Sequence, residues 1–129
     1  MSEKPFVHLH CHSDYSLLDG ACEIGKMMRE VETQGMPAIA LTDHGNLFGA
    51  MEFYTKANEK GIHPILGCEV YISQQERHIK NETNRYNHLV LLCENQEGYR
   101  NLIDLVSTGY LEGFYYKPRF DKDLSLIHI

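Results

Sequence analysis

The chain has 129 residues, which suits one domain or part of one and is too short for a large multidomain enzyme. It is 43% hydrophobic and 23% charged, with eight Tyr, five Phe and no Trp. That composition is typical of a globular protein with a hydrophobic core and excludes a disordered chain. The formal net charge of −6 argues against a surface that by itself binds nucleic acid through its phosphates.

The sequence also indicates a compartment. No apolar run approaches the ~20 residues that span a bilayer, and the first five residues lack the basic and apolar regions of a signal peptide. The four cysteines are scattered and form no CxxC pair, which argues against a zinc knuckle or a disulfide framework. We therefore expect a cytoplasmic protein without a membrane partner.

Strand and helix patterns alternate along the chain. Apolar or alternating runs predict strands over 6–12, 38–42, 64–72 and 88–93, and helical spacing predicts helices over 24–34, 47–60 and 96–108. Gly35 and Gly61 are expected to end the first two helices, and the polar residues 73–87 are expected to form a surface loop. The third helix is expected to bury Leu102, Ile103, Leu105 and Val106.

This alternation predicts the fold class. Strands that alternate with helices imply parallel pairing with right-handed crossovers, hence an α/β fold that is either an open sheet or a β/α barrel. Four strands cannot close a barrel of seven or eight strands. If the fold is a barrel, the chain therefore contains a partial one, about its first half.

The first predicted strand contains a candidate metal-binding edge. The sequence HLHCH places His8, His10 and His12 at every second position, so that in a strand all three side chains project to one face. A single HxH pair is more often incidental than a set of ligands. Three imidazoles on one face suggest a metal site if further ligands lie nearby.

Further candidates follow the later strands. Asp43 and His44 come directly after the second strand, Glu69 lies near the end of the third, and Asp19 is in the loop after the first. In β/α folds the loops at this end of the strands form the active site. Structural alternatives stay open, since Asp19 can belong to a turn and Asp43 can cap a helix. Glu69 is harder to explain structurally, because a carboxylate in a buried strand must be paired or bound to a cation.

The position of His88 relative to the other candidates depends on the direction of the fourth strand. It opens the fourth apolar run, so in a parallel strand it would lie at the end away from the other candidates. Either this strand runs antiparallel, as a hairpin partner of residues 70–73, or His88 is only an edge residue.

The candidate ligands favour particular metals and a particular chemistry. Imidazole nitrogens and carboxylate oxygens without thiolates suit Zn, Mn or Fe(II). Mixed sets of this kind occur in multinuclear sites that hydrolyse phosphoesters, where one metal lowers the pKa of a bound water and another offsets the charge of the phosphate. The sequence has no Walker A loop, GxGxxG motif or Ser-His-Asp arrangement.

Three short motifs together resemble the PHP (polymerase and histidinol phosphatase) superfamily. They are His10-Cys11-His12 with Ser16, then TDHG at 42–45, then GCE at 67–69. Within that superfamily, the longer stretches HLHCHSDYSLLDG, GMPAIALTDHGNLFGAMEFY and KGIHPILGCEVYI are similar to the N-terminal domain of the bacterial DNA polymerase III alpha-subunit family. This resemblance extends from about residue 6 to about residue 123.

The resemblance implies a fold, a metal cluster and an activity. It implies a distorted β/α barrel with up to three divalent metals (Zn, Mn or Fe) bound by His10, His12, Asp19, His44, Glu69 and His88. Asp43 would support this cluster from beside it, and His8 would not be a ligand. The parent protein would be a Mg-dependent DNA-directed DNA polymerase, and its PHP domain would act as a 3′–5′ exonuclease for proofreading. Implied partners are DNA through the rest of the parent chain, the sliding clamp, the clamp loader and a proofreading subunit.

The chain departs from the family pattern in two ways. The family completes its cluster with a later cysteine and an Asp-x-His motif, which this chain does not contain, and residues 124–129 do not resemble the family. We therefore expect residues 1–129 to be a truncated N-terminal part of a PHP domain, inactive by itself. Two alternatives stay open: a stand-alone phosphoesterase similar to histidinol phosphatase, and a domain that uses the metal only for structure.

Overall fold

The computed structural model describes residues 5–17 and 19–124. Within this part the chain forms a mixed α/β fold whose elements are α1 (Ile24–Thr33), β1 (Ala38–Leu41), α2 (Ala50–Glu59), β2 (His63–Ser73), β3 (Tyr86–Leu92), α3 (Gln96–Leu111) and β4 (Arg119–Phe120). None of the described helices has the length and apolar character that crossing a membrane requires.

The long strand β2 organises the sheet. Its first four residues pair in parallel with β1, in the register Ala38↔His63 to Leu41↔Leu66. From Gly67 onward it pairs in antiparallel fashion with β3, and Tyr71 and Ile72 also pair in parallel with β4. The unit β1-α2-β2 is therefore the parallel crossover that the sequence predicted.

The expectation of parallel pairing throughout is wrong for β3. The link between β2 and β3, residues 74–85, contains no helix, and a parallel return needs a crossover that is usually a helix. β3 therefore folds back as a hairpin partner of β2, with His88 opposite Tyr71. Of the two alternatives for His88, the structure confirms the antiparallel strand.

Residues 6–12 do not form the regular strand that the sequence predicted. In this segment the structure shows one isolated parallel bridge, between His8 and Ile39. The carbonyl of His8 accepts from the Ala40 N–H at 2.8 Å, and the carbonyl of Cys11 accepts from the Thr42 N–H at 2.8 Å. Residues 8–11 of the first segment thus lie opposite residues 40–42, so that three residue steps on one side face two on the other. This extra residue breaks the period of two on which the one-face prediction depended.

Two hydrophobic cores hold the elements together. The first lies between α1, β1 and α2, and the second lies between the C-terminal half of β2, α3 and β4. Gly109 lets α3 approach β4 closely, because a Cβ at this position would lie 2.5 Å from the Phe120 ring. Leu102, Leu105 and Val106 are buried as predicted, whereas Ile103 is 39% exposed and that prediction is wrong.

The predicted helices are confirmed with small changes at their ends. α2 begins at Ala50 instead of residue 47, since the Asn46 side chain accepts a hydrogen bond from the Phe48 N–H and holds a turn before the helix. At the other end of the chain, Leu124 is buried against the second core. The rest of the segment predicted to depart from the family, residues 125–129, lies outside the described residues.

Candidate metal centre

Glu69 lies at the centre of the candidate site. Alternation along β2 buries its neighbours Cys68 and Val70 in the second core and turns Glu69 to the opposite face. There its Oε2 lies 2.5 Å from His10 Nε2 and 2.7 Å from His12 Nε2. The carboxylate is therefore buried but paired with imidazoles, as the sequence argument required.

The second carboxylate oxygen of Glu69 contacts His88. The ring of His88 reaches it through Nδ1, because antiparallel pairing places His88 one strand away on the same face. Burial by itself raises the pKa of Glu69, but its contacts with His10, His88 and His12 outweigh this and lower the pKa to about 2. Glu69 is therefore an anion at ordinary pH.

His44 and Asp19 extend the cluster on one side. His44 Nε2 lies 2.7 Å from Asp19 Oδ2, and His12 Nδ1 lies 4.0 Å from the same oxygen. The other ring nitrogen of His44, Nδ1, is buried, has no hydrogen-bond partner and lies 3.8 Å from Glu69 Oε2. A buried nitrogen without a partner carries an energetic cost that a bound cation would remove.

Asp43 supports the site from behind. Its side chain is in none of the candidate metal groups and accepts from the Ser13 N–H at 2.6 Å, the Ser13 hydroxyl at 2.7 Å and the Ser16 hydroxyl at 2.8 Å. The Ser16 oxygen in turn accepts from the His44 N–H at 3.0 Å. Asp43 therefore fixes the turn after the first histidines and the backbone of His44, and does not cap α2.

Gly45 allows the TDHG turn to approach β2. It has φ +61°, and a Cβ here would lie 2.9 Å from both the Tyr71 ring and Pro118. The Tyr71 ring packs against His44, with ring centroids 6.0 Å apart, and against His88 at 5.1 Å. The turn and the strand thus hold the rings of His44 and His88 against the same side chain, Tyr71.

The structure brings all six predicted ligand residues together. They form three overlapping groups whose ligand atoms lie within 4.8 Å of one another: His10, His12 and Glu69; His12, Asp19 and His44; and His44, Glu69 and His88. Each pair of groups shares one residue. The donor atoms are nitrogen and oxygen only, a set that suits a divalent cation such as Zn, Mn or Fe(II).

Two further observations separate the cluster from its neighbours. His8 is not in any of the three groups, and its ring packs instead on Phe6 at 4.7 Å. Burial raises the pKa of the Cys68 thiol to about 12, so this cysteine offers no thiolate at ordinary pH.

The sequence analysis did not include Tyr71, although its position two residues after Glu69 places it on the same face of β2.

The chain belongs to the PHP domain family, which it matches over residues 8–128. Among its relatives are DNA polymerase III alpha subunits. That of Chlamydia trachomatis is 50% identical over 126 residues, which cover 95% of this chain and 10% of the relative. That of Borreliella burgdorferi is 51% identical over 121 residues, which cover 92% and 10%. The chain thus spans about a tenth of the length of these relatives.

Two solved structures share the fold. A protein from Bifidobacterium adolescentis described as a metal-dependent phosphoesterase has a TM-score of 0.54 and 17% identity, over 82% of this chain and 34% of that one. An amidohydrolase from Chromobacterium violaceum with bound sulfate and no metal has a TM-score of 0.50 and 24% identity, over 79% and 33%. At these identities the likeness shows the fold alone.

Proposed function

We propose that this chain holds a cluster of divalent metal ions that hydrolyses phosphoesters, and that it is the N-terminal part of a replicative DNA polymerase alpha subunit. The observation that carries the metal proposal is the convergence of His10, His12 and His88 on the buried anion Glu69. The partnerless Nδ1 of His44 beside them supports it.

The residues fit a metal cluster in charge and in donor type. Glu69 offers two oxygens to different neighbours and so can contribute to two cation sites, with His10 and His12 on one side and His88 on the other. Asp19 and His44 supply a further pair of donor atoms. A bound divalent cation would supply Lewis acidity, which activates water and offsets the negative charge of a phosphate.

The polymerase part of the proposal comes from the relatives. Identity of about half over nearly the whole chain supports a place at the N-terminus of a longer alpha subunit in the bacterial cytoplasm, with DNA and other replisome subunits as partners. In that protein the cluster would excise 3′ nucleotides, and the described strands would form part of a distorted β/α barrel. Reading the genomic frame beyond Asp123 tests this, since a stop codon soon after a complete PHP domain would favour a stand-alone phosphoesterase.

Metal binding is tested by replacing ligands within one short segment. The double variant His10→Ala, His12→Ala should lose most bound Zn²⁺ or Mn²⁺ in equilibrium dialysis. His8→Ala is the matched control, because His8 lies in the same segment but outside the cluster. Equal metal content in the double variant and the control would contradict the proposed site.

Activity is tested separately, in the alpha subunit extended to the length of its relatives. There the same double variant should lose 3′ excision of single-stranded DNA while polymerisation continues. If metal is lost but excision is unchanged, the cluster has a structural role and the exonuclease proposal fails.

A further inference from the structure

The strand β3 lies at the edge of the sheet, and one of its two sides has no partner strand. All seven of its residues pair with β2 on the other side, in the register Gly67↔Leu92 to Ser73↔Tyr86. In the strand order β1-β2-β3 it comes last, and no described strand pairs with its outer side. Five of the seven residues are exposed. The outer side of β3 is therefore open to solvent.

Hydrogen bonds at the two ends of this hairpin show which backbone groups point outward. The Cys93 N–H donates to the Leu66 carbonyl at 2.8 Å, and the Gln74 N–H donates to the Arg85 carbonyl at 2.8 Å. Arg85 and Cys93 thus direct backbone groups toward β2, and so does every second residue between them, because these groups alternate sides along a strand. The N–H and C=O groups of the remaining residues point outward, where the described residues offer them no hydrogen bond. They belong to Tyr86, His88, Val90 and Leu92.

The sequence of β3 lacks the residues that protect an edge strand. Its seven residues, YNHLVLL, include no proline and no Lys, Arg, Asp or Glu. Natural sheets use prolines and charged side chains to prevent an edge from pairing with another chain. Pro64 shows the contrast, because it lies on the same side of β2 two residues before Leu66 and has no N–H to offer. The outer edge of β3 is therefore left able to pair.

Large apolar side chains lie on both faces of this edge. Tyr86 is 37% exposed, Leu92 is 41% exposed and Leu89 is 42% exposed. Val90 lies opposite Glu69, so that Tyr86 and Leu92 share the face of the candidate metal centre, whereas Leu89 lies on the other face. A strand that pairs with this edge would therefore bury apolar surface on both faces of the sheet.

We propose that the outer edge of β3 pairs in antiparallel fashion with the same edge of a second copy of this chain. The two strands meet about a two-fold axis at Leu89, which faces Leu89 of the partner subunit. Tyr86 then faces Leu92 of the partner subunit, and the outward-pointing groups of His88 face those of Val90 of the partner subunit. This register includes all seven residues of both strands and gives each exposed apolar side chain an apolar neighbour.

Other registers are less favourable. A shift by one residue places outward-pointing backbone groups opposite groups that already bond to β2, so the ladder of hydrogen bonds is lost. A shift by two residues keeps the ladder but leaves residues at both ends unpaired. In the proposed register Leu89 and its copy form a non-hydrogen-bonded pair, in which side chains approach each other most closely.

The pairing closes on itself. Because both subunits use the same edge, the two-fold contact consumes both edges and assembly stops at a dimer. The two four-stranded sheets then form one continuous sheet. A strand of seven residues is about 23 Å long. Such a contact is smaller than a standard protein interface, and we therefore expect a micromolar dissociation constant.

The test measures association in EDTA, so that no metal ion bridges two copies through histidines. Sedimentation velocity over a range of micromolar concentrations should show a reversible equilibrium between monomer and dimer. Amide hydrogen exchange read by NMR then locates the interface. Exchange of the His88 and Val90 amides should slow in proportion to the loss of monomer, whereas the Leu89 amide, which already bonds to β2, should not change.

Matched lysine variants decide whether β3 forms the contact. Leu89→Lys places two ammonium groups opposite each other at the two-fold axis and should raise the dissociation constant about tenfold. The exposed position of Leu89 makes this change compatible with the folded monomer. Met51→Lys adds the same charge at an exposed position of α2, which packs with α1 and β1 instead, and should leave the dissociation constant unchanged.

Four results would overturn the inference: a monomer at every concentration, assemblies larger than a dimer, slowed exchange only at amides outside β3, or equal dissociation constants for the two variants. The first is the result that the alternative occupant of this edge, a strand from a longer parent chain, predicts. Circular dichroism melting checks that each variant is folded, and the exchange measurement on the native sequence needs no variant. The outcome is independent of the proposed function, since pairing of β3 requires neither a metal ion nor a phosphoester.

Discussion

At the scale of single residues, two of the buried acids, Asp43 and Glu69, are stabilised by different kinds of partner. Each is 5% exposed or less, and an unpaired buried carboxylate is costly. Asp43 is satisfied by one backbone N–H and two serine hydroxyls, groups that do not titrate and bind metals poorly. Glu69 is surrounded by imidazoles, which are both acid-base groups and metal ligands. The first arrangement is structural and the second is suited to chemistry.

Asp43→Asn tests the structural arrangement. An asparagine keeps one acceptor oxygen, but its NH₂ group faces donors, so at least one buried hydrogen bond is lost. We expect the free energy of unfolding in EDTA to fall by about 1–3 kcal/mol, measured by urea denaturation. Asp14→Asn, at an exposed position in the same turn, is the matched control. Equal unfolding midpoints for the two variants would contradict the structural role of Asp43.

At the scale of elements, the division of β2 into two halves builds the site. Its first half completes a parallel crossover with β1, and its second half forms a hairpin with β3. The hairpin brings His88 beside Glu69, whereas in a parallel strand His88 would have lain at the far end of the sheet. The intervening segment 74–85 is tied down, because the Arg119 guanidinium donates to the carbonyls of Asn84 and Ile79.

The same segment makes a contribution to stability that depends on pH. Arg77 pairs with Asp121, whose side chain is 10% exposed. Burial raises the pKa of Asp121, but hydrogen bonds from the backbone N–H groups of Arg77 and Leu124 and from the Arg77 side chain lower it below its usual value. A lowered carboxyl pKa stabilises the folded state above the unfolded pKa of about 3.9, and this stabilisation is lost as the pH falls.

Asp121→Asn isolates that contribution. The difference in free energy of unfolding between the native sequence and Asp121→Asn should be largest near pH 7 and should shrink as the pH falls below about 4. The measurement is urea denaturation at a series of pH values, and subtraction removes the effects of other carboxylates. Asp123→Asn, at an exposed position, should show no such trend. A difference that is constant from pH 7 to pH 3 would refute the linkage.

At the scale of the whole molecule, the candidate metal centre joins parts of the chain that pack in two separate cores. Its candidate ligands come from the N-terminal segment and the loop after it, the TDHG turn, β2 and β3. A cation bound at this junction would link both halves of the fold. The three groups share His12, His44 and Glu69, so the described residues cannot satisfy three cations independently, and we expect binding to this chain to be weak.

Metal binding should therefore stabilise the chain in a graded way. Added Zn²⁺ should raise the melting temperature progressively, reaching about 2.7 kcal/mol of stabilisation at 100 times the dissociation constant. His10→Ala, His12→Ala should abolish the rise and His8→Ala should retain it. Differential scanning calorimetry over a range of Zn²⁺ concentrations makes the measurement. A shift that is complete at one equivalent of metal would contradict weak binding.

The sequence by itself predicted the helices and the β1-α2-β2 crossover, and its patterns singled out His10, His12, Asp19, His44 and Glu69 as candidates. Only the resemblance to the PHP family added His88 and set His8 aside. The patterns depend on local properties, namely side-chain periodicity, turn residues and carboxylates set in apolar runs. The tertiary structure decided the direction of β3, the bulge that separates His8 from His10 and the orientation of Asp43 toward two serines. It also placed Lys117 beside Tyr71, 46 residues away in sequence. Such features depend on which distant segments share hydrogen bonds and buried surface, and no local pattern records that.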